Sequence, residues 1–217
     1  MRCLYCHNPD TWALDGGREM SVDEILRAYD RNRSFYRSGG ITATGGEPLL
    51  QLPFLTTLFQ RAKAHGIHTC LDTSGIVYRP ERNQEFQELF QSTDLVLLDI
   101  KHADPVGHKK LTGHPQTPVL NFAQALSEAG VSMVVRHVVV PGLTDSEEEL
   151  RALGRLLVPL KTLKGLDVLG YHTMGCAKYK ALGIEYPLDG VPALEKEKAR
   201  QARRIILEEL QKGRQVS

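Results

Sequence analysis

The chain has 217 residues, and its 27 Lys and Arg stand against 26 Asp and Glu for a net charge of +1. With 41% hydrophobic and 24% charged residues, the composition is that of an ordinary globular protein and excludes a disordered chain, a coiled coil and a nucleic-acid binder built on overall basic charge. No apolar run nears the roughly 18 residues of a membrane span, Met1-Arg2-Cys3-Leu4-Tyr5-Cys6 lacks the apolar core of a signal peptide, and four cysteines are too few for a disulfide scaffold. One domain over residues 1–217 is expected, cytoplasmic, with neither membrane nor nucleic acid as a partner. Ser21-Val22-Asp23-Glu24 has capping-box spacing, and Val22, Ile25, Leu26 and Tyr29 follow at helical intervals. Residues 41–44 read as a short strand running into Gly45-Gly46-Glu47-Pro48. Pro53 suits the first turn of a helix whose buried face is Phe54, Leu55, Leu58, Phe59 and Ala62, and Gly66 stops it. A strand over 67–72 precedes a helix over 80–91 that buries Phe86, Leu89 and Phe90. Residues 94–100 form an almost continuous apolar strand, the pattern of one covered on both faces.

The alternation continues. Thr117-Pro118 opens a helix that Gly130 closes, and the strand over 131–140 is interrupted by Arg136-His137. A helix over 144–157 with an acidic first turn, a strand over 166–171 and a long helix over 194–211 complete the chain. Five strands alternating with six helices imply an α/β fold of βαβ units with a parallel sheet. The first helix has no strand before it.

In such folds the reactive groups gather at the C-terminal strand ends. Those ends are Gly45-Gly46-Glu47-Pro48, Asp72-Thr73-Ser74-Gly75, Asp99-Ile100-Lys101-His102, Arg136-His137 with Pro141-Gly142, and Tyr171-His172. Gly45-Gly46 brings backbone amides close to a ligand and Glu47 adds a carboxylate, which suits an ammonium group. The spacing is not that of a phosphate loop. Cys3-Leu4-Tyr5-Cys6-His7 offers a C-x-x-C pair open to redox, zinc, haem or iron–sulfur chemistry. A thioredoxin-type pair should follow a strand and open a helix, a zinc site needs two further ligands, and haem attachment needs export. Cys70 and Cys176 read as structural thiols, Trp12 as packing, the basic stretch 196–204 as a solvated face, and His65, His68, His108 and His114 as surface or capping residues. His172 and His7 are the histidines expected to serve the site.

Residues 1–12, Met-Arg-Cys-Leu-Tyr-Cys-His-Asn-Pro-Asp-Thr-Trp, resemble the cluster loop of radical S-adenosylmethionine (SAM) enzymes, and more narrowly that of the glycyl-radical-enzyme activases. Residues 41–51 resemble the methionine-binding motif of that family, and 66–75, 94–101, 136–142 and 171–172 match in order, so the resemblance runs along essentially the whole chain. It implies a partial (βα)6 barrel whose first strand is missing from this chain, and an oxidoreductase of anaerobic glucose metabolism that places a glycyl radical on pyruvate formate-lyase. In that family a reduced [4Fe–4S] cluster gives SAM one electron, and the resulting 5′-deoxyadenosyl radical takes a hydrogen atom from a glycine of the partner. The resemblance makes Cys3 and Cys6 cluster ligands and sets Tyr5 near the adenine, with His7 following in the cofactor-binding loop. Gly46 and Glu47 would receive the methionine amino group. Asp99, Ile100 and Lys101, together with Arg136 and His172, would contact SAM, and Asp72 and Thr73 would lie near its carboxylate with a monovalent cation. A flavodoxin or ferredoxin is the implied reductant.

The family motif is C-x-x-x-C-x-x-C, whose first cysteine would stand four positions before Cys3. Two thiolates are a poor holder for the cluster. An upstream in-frame segment carrying that cysteine and a strand is therefore expected. Other readings stay open: an activase of another glycyl radical enzyme or of an anaerobic ribonucleotide reductase, or a non-catalytic SAM- or peptide-binding homologue.

Overall fold

In the computed structural model, which describes residues 1–13, 16–36 and 39–216, five parallel strands pair in the order in which they occur in the chain. They are β1 (Gly40–Ala43), β2 (His68–Thr73), β3 (Leu95–Asp99), β4 (Met133–Val139) and β5 (Leu163–Gly170). The helices are α1 (Val22–Arg31), α2 (Leu52–Ala64), α3 (Asn83–Gln91), α4 (Pro105–Thr112), α5 (Thr117–Glu128), α6 (Glu147–Leu157), α7 (Cys176–Ala181) and α8 (Lys196–Val216). In a parallel sheet whose strand order never reverses, crossovers of the usual single hand put the connecting helices on one face. The other face is left for the site.

Side-chain alternation along each strand follows from this one-sided cover. In β3 the side chains of Val96 and Leu98, continued by Ile100, are fully buried in the main core. Leu95, Leu97 and Asp99, which alternate with them, are only half-buried. In β4, Met133, Val135 and Val139 join the same core while Arg136 takes the opposite face. The expectation of a strand sealed on both faces therefore holds for one face of β3 only.

Local signals set most boundaries. The Ser21–Glu24 capping box is formed, with the Ser21 backbone amide donating to Glu24 at 2.7 Å. Gly66, at φ +68°, follows the end of α2. Residues 80–82 form a 3₁₀ turn ahead of α3 rather than its first turn. Helix α6 starts after a Ser146 cap, later than expected, because the Thr144 hydroxyl is spent on the preceding turn, donating to Val138 O and accepting from Val140 N at 2.8 Å each. Helices α4 and α7 were not expected. Helix α4 has an Asp104 cap, Pro105 in its first turn and Gly113 at φ +79° as its stop, but Gly107 in its interior blurs the apolar period. His108 on α4 is fully buried, not a surface residue, and its Nδ1 meets His114 O at 3.0 Å. His65, His68 and His114 are exposed.

Two packed groups hold the fold. In the larger one, Phe122 of α5 is fully buried against Tyr78, Phe86 and Phe90, with ring centroids 5.5, 6.2 and 5.9 Å away. Gly75 makes room for it: its φ is +68°, and a Cβ there would meet the Phe122 ring at 2.5 Å. The smaller group seats the N-terminal loop, packing Tyr5, Leu4 and Trp12 against Val138, Val140, Tyr171, Tyr179, Tyr186 and Leu188. The Trp12 ring meets Tyr179 edge-on at 5.8 Å. No helix among the described residues is long and apolar enough to cross a membrane. Truncating the central aromatic, Phe122→Ala, is expected to lower the unfolding free energy by about 3–5 kcal/mol, read from the midpoint shift in a denaturant titration with unchanged slope.

Candidate active site

The open face of the sheet carries four charged groups in one chain of contacts. Register pairs Asp99 directly with Arg136 and places Asp72 beside Leu97, so all three side chains share a face. Arg136 grips Asp72 in a two-pronged pair at 2.6 and 3.0 Å and reaches Asp99 at 3.2 and 3.3 Å. Lys101 Nζ binds the same Asp99 at 2.9 Å, and the Thr44 hydroxyl donates to Asp72 at 3.1 Å. Asp99 and Lys101 are only 17% and 13% exposed, so neither charge could stand alone there. Burial pushes the Asp99 carboxyl up, but Lys101 and Arg136 outweigh it and hold the group below the usual carboxylate range. Burial likewise pulls Lys101 down, and Asp99, Tyr5 and Cys3 together more than restore it, so the ammonium is retained.

Glu47 forms a second anchor between strand ends. Its carboxylate accepts from the Ser74 hydroxyl at 2.5 Å, the Ser74 amide at 3.2 Å, the Leu49 amide at 3.3 Å and the Thr73 hydroxyl. The loop after β1 is thereby tied to the loop after β2. Gly45 turns at φ +127°, a conformation other residues rarely adopt. Gly46 lies against the cysteine loop, where a Cβ would meet Thr11 O at 3.6 Å.

The cysteine loop is fixed from several sides. Leu4 N donates to Leu111 O of α4 at 3.0 Å, Cys6 N to Cys3 O at 3.0 Å, and Lys178 Nζ of α7 reaches Asn8 at 2.8 Å and Asp10 at 3.0 Å. Lys101 Nζ stands 5.5 Å from the centre of the Tyr5 ring and so links this loop to the ion chain. Burial raises the Cys3 thiol above its ordinary value against the pull of Lys101, and burial raises the Tyr5 hydroxyl too. His7 stacks on His172 with centroids 4.0 Å apart, and its Nε2 donates to His172 O at 3.3 Å. Burial, and then His172 beside it, lower the His7 pKa. Gly175 closes on this pair; a Cβ there would lie 3.2 Å from His7 Cα.

The structure thus brings Tyr5, Asp99, Lys101, Arg136 and Asp72 into one neighbourhood, Glu47 and Thr73 into a second, and His7 with His172 into a third beside Cys6. The Ile100 side chain is fully buried in the main core, so it could face a ligand through its backbone alone. Cys70 is buried, Cys176 half-buried, and all four cysteines are free thiols. Sequence reasoning overlooked Lys178, whose partners lie 170 and 168 residues away, and gave no part to Ser74 or Thr44. Their position at strand ends was the available signal.

Among the described residues no three His, Cys, Asp or Glu side chains stand close enough to hold a metal ion. Cys3 and Cys6 stand at two of the three cysteine positions of the family's cluster motif. The open face does fit an amino-acid group. Two acids and two bases balance there, and a zwitterion can exchange ion partners with them without leaving a buried charge unpaired. His172 Nδ1, beside the cysteine loop, is buried with no hydrogen-bond partner among the described residues.

The sequence pattern of the Radical SAM superfamily matches residues 1–154. A pyruvate formate-lyase-activating enzyme of Staphylococcus epidermidis is 44% identical over 211 residues, 95% of this chain and 84% of that protein, and its namesake in Staphylococcus aureus strain USA300 matches to the same extent. In fold, the chain is similar to a domain of a pyruvate-formate lyase-activating enzyme from Bacteroides vulgatus, with TM-score 0.63 and 24% identity over 79% of this chain and 94% of that one. A radical SAM methyltransferase from Sphaerobacter thermophilus gives TM-score 0.68 and 16% identity over 95% of this chain and 60% of that one. The chain belongs to the radical SAM superfamily, whose members use a [4Fe–4S] cluster and SAM, and within it to the family of the pyruvate formate-lyase-activating enzymes.

Proposed function

We propose that the chain binds SAM on the open face of the sheet and serves as an activase that generates a glycyl radical on pyruvate formate-lyase. The observation that carries the site is the balanced chain Lys101–Asp99–Arg136–Asp72, which runs from the cysteine loop across three strand ends. The names of the 44%-identical relatives carry the partner. When bound, the cluster and SAM supply the electron and the carbon radical. The residues of this chain bind and orient. Glu47 and Gly46 take the methionine amino group, Arg136 and Lys101 offer positive charge to the carboxylate, and Tyr5, His7 and His172 form the wall proposed for the adenosine. Cys3 and Cys6 are the proposed cluster ligands. Asp72 and Thr73 offer oxygen atoms to a monovalent cation, which would share the Asp72 carboxylate with Arg136. A flavodoxin or ferredoxin is the proposed electron donor.

Lys101→Ala and Glu47→Ala each remove a charged partner from a half-buried site, a loss of about 1.5–3 kcal/mol or roughly tenfold or more in SAM affinity. Calorimetric titration reads this, and unchanged affinity in both variants would move the site off these strand ends. Replacing potassium and sodium by tetramethylammonium at constant ionic strength is expected to weaken SAM binding; an unaltered isotherm removes the cation. The partner is checked by anaerobic co-sedimentation in the presence of SAM. A complex with pyruvate formate-lyase is expected, and a complex with an anaerobic ribonucleotide reductase in its place would reassign the substrate.

A further inference from the structure

The segment that carries Lys101 out of the sheet is held by buried side chains from three other elements. Ile100 N donates to Arg136 O at 3.1 Å, and His137 Nδ1 of β4 donates to Ile100 O at 2.8 Å. Gln116, just before α5, donates its amide to His102 O at 2.6 Å and to Ala103 O at 2.8 Å. Glu149 of α6 accepts the Ala103 amide hydrogen and lies 2.9 Å from His102 Nδ1. Asp104 N stands 3.0 Å from the same Nδ1, which either accepts that amide hydrogen or donates its own to Glu149. His137, Gln116 and Glu149 are only 1%, 5% and 7% exposed. Buried polar groups are costly unless fully paired, and an ordinary strand exit leaves its backbone to water or to a turn. Here several such groups converge on the few residues that flank one lysine.

We propose that Glu149 and Gln116 are positioning residues for Lys101. They fix the backbone on its C-terminal side, as His137 and Arg136 fix it on the N-terminal side, so that the ammonium stays between Asp99 and the Tyr5 ring. The proposal rests on the reading that Lys101 faces SAM. The clamp also reaches the cysteine loop. Asp104 caps α4 by accepting Gly107 N at 2.6 Å, and Leu111 of that helix accepts Leu4 N at 3.0 Å.

The test titrates SAM into the 217-residue chain and its variants and follows amide hydrogen exchange over residues 99–104. Glu149→Ala and Gln116→Ala are each expected to weaken SAM binding about tenfold and to speed exchange in that segment. Glu149→Gln, which keeps an oxygen for the Ala103 amide, should lose less than about threefold, rescuing most of the effect. In a Lys101→Ala background, Glu149→Ala and Gln116→Ala should cost nothing further, because residues acting through one group are not additive. Faster exchange with unchanged SAM affinity, or equal losses with and without Lys101, would overturn the positioning role. Gln116→Ala leaves two carbonyls without a donor but no charge, so it carries the same test if Glu149→Ala does not fold. A Lys101→Ala variant that binds SAM normally, or an unsubstituted chain that binds none, would instead overturn the reading of the site.

Discussion

Arg136 is the group on which the site depends. Two carboxylates sit on neighbouring strands at the same face of a half-open sheet, and two anions so placed repel each other and favour protonation. The guanidinium between them turns that repulsion into a fixed geometry, because its planar fork binds Asp72 through two nitrogens and still reaches Asp99. A lysine at this position has one point of charge and could not hold both. Asp99 in turn retains the charge of Lys101, and Lys101 ties the sheet to the cysteine loop through Tyr5. Removing the fork would affect all of these contacts together.

The sheet and the site were legible in the sequence to different degrees. Elements fixed by local chemistry, such as the Ser21 capping box and the Gly66 stop, appear where the residues put them. Strand ends were readable because a parallel sheet gathers polar residues at one edge, which drew attention to Asp72, Asp99, Lys101, Arg136 and Glu47 before any geometry was known. What the sequence concealed depends on partners far along the chain. Glu149 reads as one of three consecutive acids in the first turn of a helix, yet it meets Ala103 from 46 residues away. His108 reads as a lone polar residue beside a helix-breaking glycine, and its burial follows from a helix that periodicity did not reveal.

Glu47 shows how one carboxylate can serve stability and recognition together. Two hydroxyls and two amides converge on it, and that bond set ties the loop after β1 to the end of β2. A ligand ammonium arriving at this group meets a carboxylate already ordered, so little side-chain entropy remains to be lost on binding.

The seating of the N-terminal loop has a consequence for the order of assembly. Strands that pair in sequence order allow the sheet to grow as the chain leaves the ribosome, each strand finding its partner among residues made shortly before. The loop bearing Cys3 and Cys6 is the exception. It precedes all five strands in the chain, yet its packing partners Tyr171, Tyr179, Tyr186 and Leu188 and its tether Lys178 follow the last of them. Until those residues emerge the loop lacks part of its packing, and Cys3, buried in the folded chain, is open to oxidation for that interval.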